Sequence, residues 1–204
     1  MVKAERNARL SAEDRRVLLE DAAIACMARG GIRAFTVDRI VTEAGVSRGL
    51  ITHHFGSMDG LLVAVYARMY RQWIEVMARP HPGLLQIEAV IEALISDELF
   101  SRDVLNVWLT LWGEVSNNPA LRGEHRNQYA AYRANIAAAI QEVADQRGLV
   151  VDATALSGGF ICLVDGLGVQ RCIEPALMTT NDARDACLRY LEPHIGPLTG
   201  HKSG

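Results

Sequence analysis

The sequence predicts an all-α protein, with a small N-terminal unit of three helices and a larger helical body behind it. Apolar residues recur at i, i+3, i+4 and i+7 in successive segments of the 204-residue chain, a spacing that gives a helix one apolar face. No segment shows strand-like alternation, and the chain has only six prolines. A chain of this length can bury a substantial core, in one large domain or in two smaller ones.

The first predicted helix begins at Ser11 and ends at Gly30–Gly31. Acidic residues follow Ser11 at once, where the helix dipole favours negative charge. The apolar stripe of this helix consists of Leu19, Ala22, Ala23, Cys26 and Met27. We expect the stripe to cover the next two helices. Residues 3–9, ahead of this helix, are either a basic arm that contacts phosphates or a disordered start without a role.

Residues 36–55 predict two short helices joined by a tight turn. Thr36 is placed to cap the first helix and Ser47 to cap the second. Gly45 between them can adopt the left-handed conformation that ends a helix and turns the chain. Apolar residues at helical spacing form the inner faces of the two helices: Val37, Ile40, Val41 and Ala44, then Leu50, Ile51 and Phe55. The pair therefore has one buried side and one polar side.

The polar side of the second helix has the residue types that suit a DNA major groove. Arg48 offers a forked guanidinium in the first turn, and Gly49 permits close approach. We interpret residues 36–55 as a DNA-binding helix-turn-helix in which Arg48 reads a base edge. Phosphate contacts are predicted for Thr36, Ser47, Thr52, His53 and His54. The alternative is an ordinary helical hairpin with a solvated face.

The residues around this pair resemble the N-terminal signature of the TetR family of bacterial repressors, over residues 15–70. The resemblance is carried by Gly31, Thr36, Val37, Ile40, Ala44 to Ser47, Gly49, His54, Phe55, Leu61 and Leu62. It implies a homodimeric repressor that binds a palindromic double-stranded DNA operator and is released by a small-molecule effector. The string from Gly49 to Phe55 is similar to the choline-responsive, BetI-like branch. Met58 stands where most members have a phosphate-binding Lys.

A Pro-rich segment at residues 79–83 is the clearest domain boundary. We predict a DNA-binding domain at 1–57, a connecting helix within 58–79 that Ser57 caps, and an effector-binding and dimerisation domain at 80–204. Further helices are predicted at 84–100, 102–116, 120–147, 153–172 and 182–191. By resemblance to the family, the last two form a four-helix dimer interface. The alternative for the apolar helix at 153–172 is burial within one subunit.

The helix predicted at 102–116 places Trp108 and Trp112 on one face, one turn apart. Two indoles can wall a cavity for a quaternary ammonium, since aromatic ring faces attract cations. The alternative is that this aromatic stripe fills the core. Phe100, Leu105 and Asp165 complete the predicted effector pocket.

Charge and composition fit a cytosolic DNA-binding protein. Residues 1–80 hold 12 Lys and Arg against 9 Asp and Glu, a net charge of +3, whereas residues 81–204 hold 9 against 15, a net −6. We expect no secretory leader and no apolar run long enough to span a bilayer.

The sequence also predicts that no metal, cofactor or catalytic chemistry is involved. The four cysteines lack ligand spacing and are predicted to be mostly buried thiols, with a redox switch as the alternative. His53 and His54 diverge on a helix and lack matched ligands. No nucleophile or phosphate-loop motif is present. Two other classes remain open: an architectural DNA-binding protein without an effector, and a helical enzyme.

Overall fold

The computed structural model describes residues 11–79 and 81–198, and within those ranges it is helical with no strand. The all-α prediction is confirmed. The helices are α1 (Ala12–Gly30), α2 (Val37–Ala44), α3 (Gly49–Phe55), α4 (Met58–Met77), α5 (Gln86–Leu94), α6 (Arg102–Val115), α7 (Pro119–Gln146), α8 (Ala153–Ile173) and α9 (Thr180–Ile195), with a short 3-10 turn at Gly31–Ala34.

The chain forms two compact units that are not contiguous in sequence. One unit comprises Met1–Tyr70 and Asn106–Arg126, and the other comprises Arg71–Leu105 and Asn127–Gly204. The unbroken helix α4 contributes residues to both.

In the first unit, α1 covers α2 and α3. It begins with a reciprocal cap, in which the Ser11 hydroxyl accepts from the Asp14 amide at 3.0 Å and the Asp14 carboxylate accepts from the Ser11 amide at 3.2 Å. The predicted stripe of α1 is buried, together with apolar residues of the helices beneath it: Leu19, Ala23, Met27, Ile40, Ile51 and Leu61. Residues from α6 complete the unit. The Asn106 side-chain amide donates to the Ala28 carbonyl at 2.8 Å.

In the second unit, α8 and α9 pack closely against each other. A Cβ atom on Gly159 of α8 would lie 2.0 Å from the Tyr190 hydroxyl of α9, so a larger residue there would have to displace the Tyr190 side chain. A bidentate ion pair joins α9 to α5, with the Arg184 guanidinium 2.6 and 2.7 Å from the Glu92 carboxylate. The buried residues of α8 and α9 include Phe160, Ile161, Leu188 and Leu191.

The helix predicted at 84–100 ends earlier than expected, at Leu94. The Ser96 hydroxyl donates to the Ala93 carbonyl at 2.7 Å, and the Phe100 amide bonds to the Ser96 carbonyl at 2.7 Å. These local hydrogen bonds compete with helix continuation. The last helix is longer than predicted, because Thr179 and Asp182 form a capping box before it and Pro193 is accommodated in its final turn.

Helix α8 corrects one expectation about apolar length. Among the described residues, α8 has 21 residues and is apolar enough to cross a membrane, judged by its length and composition alone. A core helix of a soluble protein satisfies the same criterion, and eight residues of α8, Phe160 and Ile161 among them, are buried within the subunit. This length is therefore weak grounds for membrane insertion.

Candidate nucleic-acid interface and effector site

Helices α2 and α3 form the predicted helix-turn-helix. The Thr36 hydroxyl accepts from the Arg39 amide at 3.5 Å and caps α2. Gly45 is left-handed, with φ of 67° and ψ of 42°, and the Val46 amide bonds to the Val41 carbonyl at 3.0 Å across the turn. Ile40 of α2 and Ile51 of α3 are buried. The position of α3 is therefore set by buried contacts, and its outer side remains available.

Six of the seven predicted DNA contacts are exposed, one at the cap of α2 and five in or just before α3. They are Thr36, Ser47, Arg48, Gly49, Thr52 and His53. Apart from its chain neighbours and the backbone of its own helix, no described atom lies within 4 Å of a Cβ atom built on Gly49, so the backbone of α3 is open to a close partner there. The exposed side thus combines a guanidinium, two hydroxyl groups near α3 and an imidazole around an accessible stretch of backbone.

Two details of this predicted site need correction. Arg48, in helical conformation, occupies the position before α3, and no side-chain hydrogen bond caps the helix there, so the predicted Ser47 cap is wrong. Instead the Ser47 carbonyl accepts from the Leu50 amide at 3.2 Å. His54 stands apart from the exposed set, because its Nε2 is buried and has no hydrogen-bond partner among the described residues. Burial also lowers the pKa of its imidazole.

Arg48 has a partner that the sequence did not indicate. Its Nη2 lies 2.6 Å from Oδ1 of Asp38, in the first turn of α2. The two side chains are 72% and 65% exposed, respectively. An exposed pair of this kind is weak, so Arg48 can exchange its partner at little free-energy cost.

A buried carboxylate of α1 connects the end of α3 with α4. Glu20 is 4% exposed and lies 3.4 Å from the Arg16 guanidinium and 3.5 Å from that of Arg68 on α4. Arg16 also donates to the His54 carbonyl at 3.1 Å and lies over the Phe55 ring, 4.6 Å from its centroid. Only the Arg16–Glu20 spacing was visible in the sequence, as an i, i+4 pair. The partners on α3 and α4 are distant in the chain.

Glu20→Gln is expected to lower the free energy of unfolding by about 1 to 3 kcal/mol, because Arg16 loses its paired carboxylate and Arg68 keeps only Asp21 as a counter-charge. Urea unfolding at fixed protein concentration measures this loss. Glu43→Gln is the matched control, since Glu43 pairs with Arg29 at 2.5 Å on an exposed surface. An exposed pair contributes about 0 to 1 kcal/mol. Equal losses in the two variants would contradict the structural role of Glu20.

The five predicted effector residues fall in both compact units. Trp108 and Trp112, in the first unit, stack on each other with centroids 5.8 Å apart. Trp108 is 1% exposed and packs edge-on against Tyr66 and Tyr70, as expected for a core residue. The Tyr66 hydroxyl hydrogen-bonds to Nδ1 of His125 at 2.6 Å.

The other three predicted effector residues lie in the second unit. Phe100 and Leu105 are buried and approach α8 at Gly168, where an added Cβ atom would lie 3.0 Å from Leu105 and 3.9 Å from Phe100. Asp165 precedes Gly168 by three residues and so shares its side of the helix. Burial raises the pKa of the Asp165 carboxyl to about 6.

Asp165→Asn is expected to stabilise the protein at pH 7. The pKa of Asp165 is raised from 3.8 in the unfolded chain to about 6 in the folded one, so the folded state binds more protons between these values. The contribution of Asp165 to stability is thus most favourable below pH 4, falls as pH rises towards 6, and stays low above it. Two pKa units correspond to about 3 kcal/mol, an upper limit for the gain.

Urea unfolding at pH 4, 5, 6 and 7 with constant protein concentration tests this expectation. Asp165→Asn should match the parent protein at pH 4 and exceed it at pH 7. Asp97→Asn, which changes an exposed loop carboxylate, is the control. A difference in the free energy of unfolding between Asp165→Asn and the parent protein that stays constant across the pH range would contradict this expectation.

The second unit also contains a cavity of about 300 Å³ that none of the five predicted effector residues line. Ile74 of α4, Val90 of α5 and Ile136 of α7 contribute its apolar walls. The sequence pattern did not single out these three residues.

The cysteines are mostly buried thiols, as the sequence predicted. Cys26, Cys172 and Cys187 are buried free thiols and Cys162 is an exposed one. Burial raises the pKa of Cys187 to about 12. Within the described residues, no three His, Cys, Asp or Glu side chains cluster as metal ligands would.

Family comparisons match both halves of the chain. The description "Bacterial regulatory proteins, tetR family" matches residues 19–65, and "BetI-type transcriptional repressor, C-terminal" matches residues 85–196. The HTH-type transcriptional regulator BetI of Paraburkholderia xenovorans is 29% identical over 196 residues, covering 88% of this chain and 96% of the relative. BetI of Burkholderia mallei is 25% identical over 190 residues, covering 91% and 95%.

Solved structures share the fold. A protein described as a transcriptional regulator from Pseudomonas aeruginosa PAO1 is 31% identical, with a TM-score of 0.77 and coverage of 91% of this chain and 92% of that chain. A regulator from Saccharomonospora viridis, solved in complex with choline, is 24% identical, with a TM-score of 0.75 and coverage of 90% and 98%. The second likeness shows the fold alone.

The names of these relatives describe regulators of transcription rather than enzymes, as the sequence predicted. The helix-turn-helix of α2 and α3 lies inside the first matched segment, and the C-terminal match covers more than half of the chain. The chain therefore belongs to the TetR family of bacterial transcriptional regulators and has a C-terminal region of the BetI repressor type.

Proposed function

We propose that this regulator is a cytoplasmic repressor that binds a palindromic operator as a homodimer and releases it when a small molecule binds. The observation that carries the proposal is the exposed side of α3, where Arg48, Gly49, Thr52 and His53 surround an open stretch of backbone. A helix presented in this way can enter a major groove. Arg48 reads a guanine, and the neighbouring hydroxyl and imidazole groups hold phosphates.

A dimer is part of the proposal because one short helix reads too few base pairs to specify a site in a genome. Helices α8 and α9 supply the interface. On α8, Cys162 and Gly166 are exposed, and Ile173 beyond them is 67% exposed. Pairing of α8 and α9 with their symmetry mates covers this apolar surface. To enter successive major grooves, the two copies of α3 must lie about 34 to 36 Å apart, one turn of DNA.

The effector is proposed to be a small organic cation that binds in the second unit. Phe100, Leu105 and Asp165 converge on one side of α8, and a buried carboxylate attracts a cation that restores its charge. The choline held by the Saccharomonospora viridis regulator makes choline the first compound to test. The buried packing of Trp108 supports its alternative role as a core residue.

We keep the proposed functional division at 1–57 for DNA binding, 58–79 for connection and 80–204 for effector binding and dimerisation. The effector acts by favouring a position of α4 in which the two copies of α3 no longer match successive grooves. Such a shift requires a difference in effector affinity between the two states.

The test begins with selection of duplexes from a random pool by the full chain, followed by sequencing. A palindrome bound by two chains, as measured by sedimentation, is the expected result. Failure to enrich any sequence, or binding by single chains, would refute the proposal. Choline is then titrated into the complex, with 3,3-dimethylbutan-1-ol as an uncharged control of the same shape.

Release by choline and not by the alcohol supports the cationic effector, and Asp165→Asn should abolish that release while leaving operator affinity unchanged. Enrichment of a palindrome whose binding no organic cation alters would favour an architectural DNA-binding protein instead.

A further inference from the structure

The ion pair between Asp38 and Arg48 places a carboxylate on the surface that faces DNA. Arg48 Nη2 and Asp38 Oδ1 lie 2.6 Å apart, so the ion pair joins the first turn of α2 to the start of α3. A carboxylate at this place repels phosphates. Asp38 is therefore unfavourable for general DNA affinity, although it lies beside the proposed base-reading residue.

Asp38 has the shorter side chain of the pair and lies in the first turn of a capped helix. Thr36 caps α2, the helix dipole favours a carboxylate in the first turn, and Ile40 anchors the same helix in the core. The Arg48 side chain is long and largely exposed. One edge of its guanidinium meets the carboxylate, and the remaining N–H groups stay available to a base.

The charge of Asp38 acts differently on right and wrong DNA. Over a guanine, Arg48 can bind the base while its other edge still neutralises Asp38. Over any other base pair, Arg48 gains most by turning to a phosphate, and the carboxylate is then left uncompensated beside the DNA backbone. An unpaired charge in the wrong complex is an effective source of specificity.

We propose that Asp38 is a specificity-determining residue that positions Arg48 for a guanine and disfavours binding to other sequences. The proposal rests on the DNA-binding function proposed above. It assigns Asp38 no direct contact with a base; Asp38 acts through the orientation of Arg48 and through its own charge.

The experiment compares the affinity of each variant for two duplexes. One is the sequence that the parent protein selects, and the other replaces the guanine pair whose discrimination Arg48→Ala abolishes. Asp38→Asn keeps the side-chain size and removes the charge. We expect tighter binding to the altered duplex and a fall of about threefold to tenfold in the affinity ratio, between the effect of an exposed ion pair and that of a base contact.

Glu43→Gln is the matched control because it removes the same charge from the same helix and leaves the Asp38–Arg48 pair intact. It should change both affinities equally and leave the ratio unaltered. Asp38→Glu, which keeps the charge, should retain most of the discrimination. In an Arg48→Ala background, Asp38→Asn should no longer affect the ratio, because its partner is absent.

A parental affinity ratio in Asp38→Asn would overturn the inference, and so would an equal fall of the ratio in Glu43→Gln. A persistent effect of Asp38→Asn in the Arg48→Ala background would show that Asp38 does not act through Arg48. Each of these results leaves the proposed function standing if the parent protein still enriches a palindrome. If it enriches none, the proposed function fails and this inference fails with it.

Discussion

Arg48→Ala is expected to weaken operator binding by about 1 to 3 kcal/mol for each half-site, the value of one guanidinium–guanine contact. Because a dimer carries two copies of Arg48, the loss per operator approaches twice that figure where the half-sites are independent. Specificity should relax at one base pair in each half-site. Fluorescence anisotropy titrations with the selected duplex and single-base variants measure both effects.

His53→Ala provides the comparison, since a proposed phosphate contact carries no sequence information. It should lower affinity for all duplexes by a similar factor and leave the order of preferred bases unchanged. Arg48 is 72% exposed on its side chain, so its replacement is not expected to unfold the protein. Unchanged operator affinity and base preference in Arg48→Ala would refute its assignment as the base-reading residue.

Gly60→Ala is expected to have the largest effect on stability. A Cβ atom at Gly60, in the first turn of α4, would lie 2.0 Å from the Phe55 carbonyl oxygen at the end of α3. Backbone cannot move aside as a flexible side chain does, so the two helices must separate. Overpacking typically costs about 1 to 3 kcal/mol, and we expect the upper part of that range or more. Thermal or urea unfolding measures the loss.

Gly123→Ala is the control for Gly60→Ala because it makes the same change within helix α7, where the added Cβ meets no described atom within 4 Å apart from its own helix backbone and chain neighbours. Alanine is the better helix former, and this variant should gain about 0.5 to 1 kcal/mol. Gly60→Ala should also weaken operator binding, since it displaces the end of α3. Equal stability of the two variants would contradict the close contact between Gly60 and Phe55.

Local features were predictable from the sequence because they depend on neighbouring residues. The stripe of α1, the Thr36 cap and the left-handed Gly45 follow from residue type and spacing over one or two turns. The end of α5 at Leu94 escaped prediction, since the hydrogen bonds of Ser96 compete with an apolar pattern that continues beyond it.

Partnerships between separate helices could not be predicted in the same way. Asp38 and Arg48, or Glu20 and Arg68, meet because packing brings their helices together, and no periodicity marks either pair. The resemblance to the family identified the surface of α3 but not the charges that surround Arg48. The predicted effector pocket also required three-dimensional placement, and its residues lie in both compact units.

The discontinuous first unit has a consequence for recombination between relatives. The Asn106 side-chain amide is hydrogen-bonded to the end of α1, and Trp108 packs against Tyr66 and Tyr70. These α6 residues are therefore part of the packed core of the first unit, together with the helix-turn-helix. A chimera with a single crossover in the Pro-rich segment would take the N-terminal helices from one parent and the α6 residues that pack against them from the other. Chimeras that also transfer residues 106–126 should retain native solubility more often.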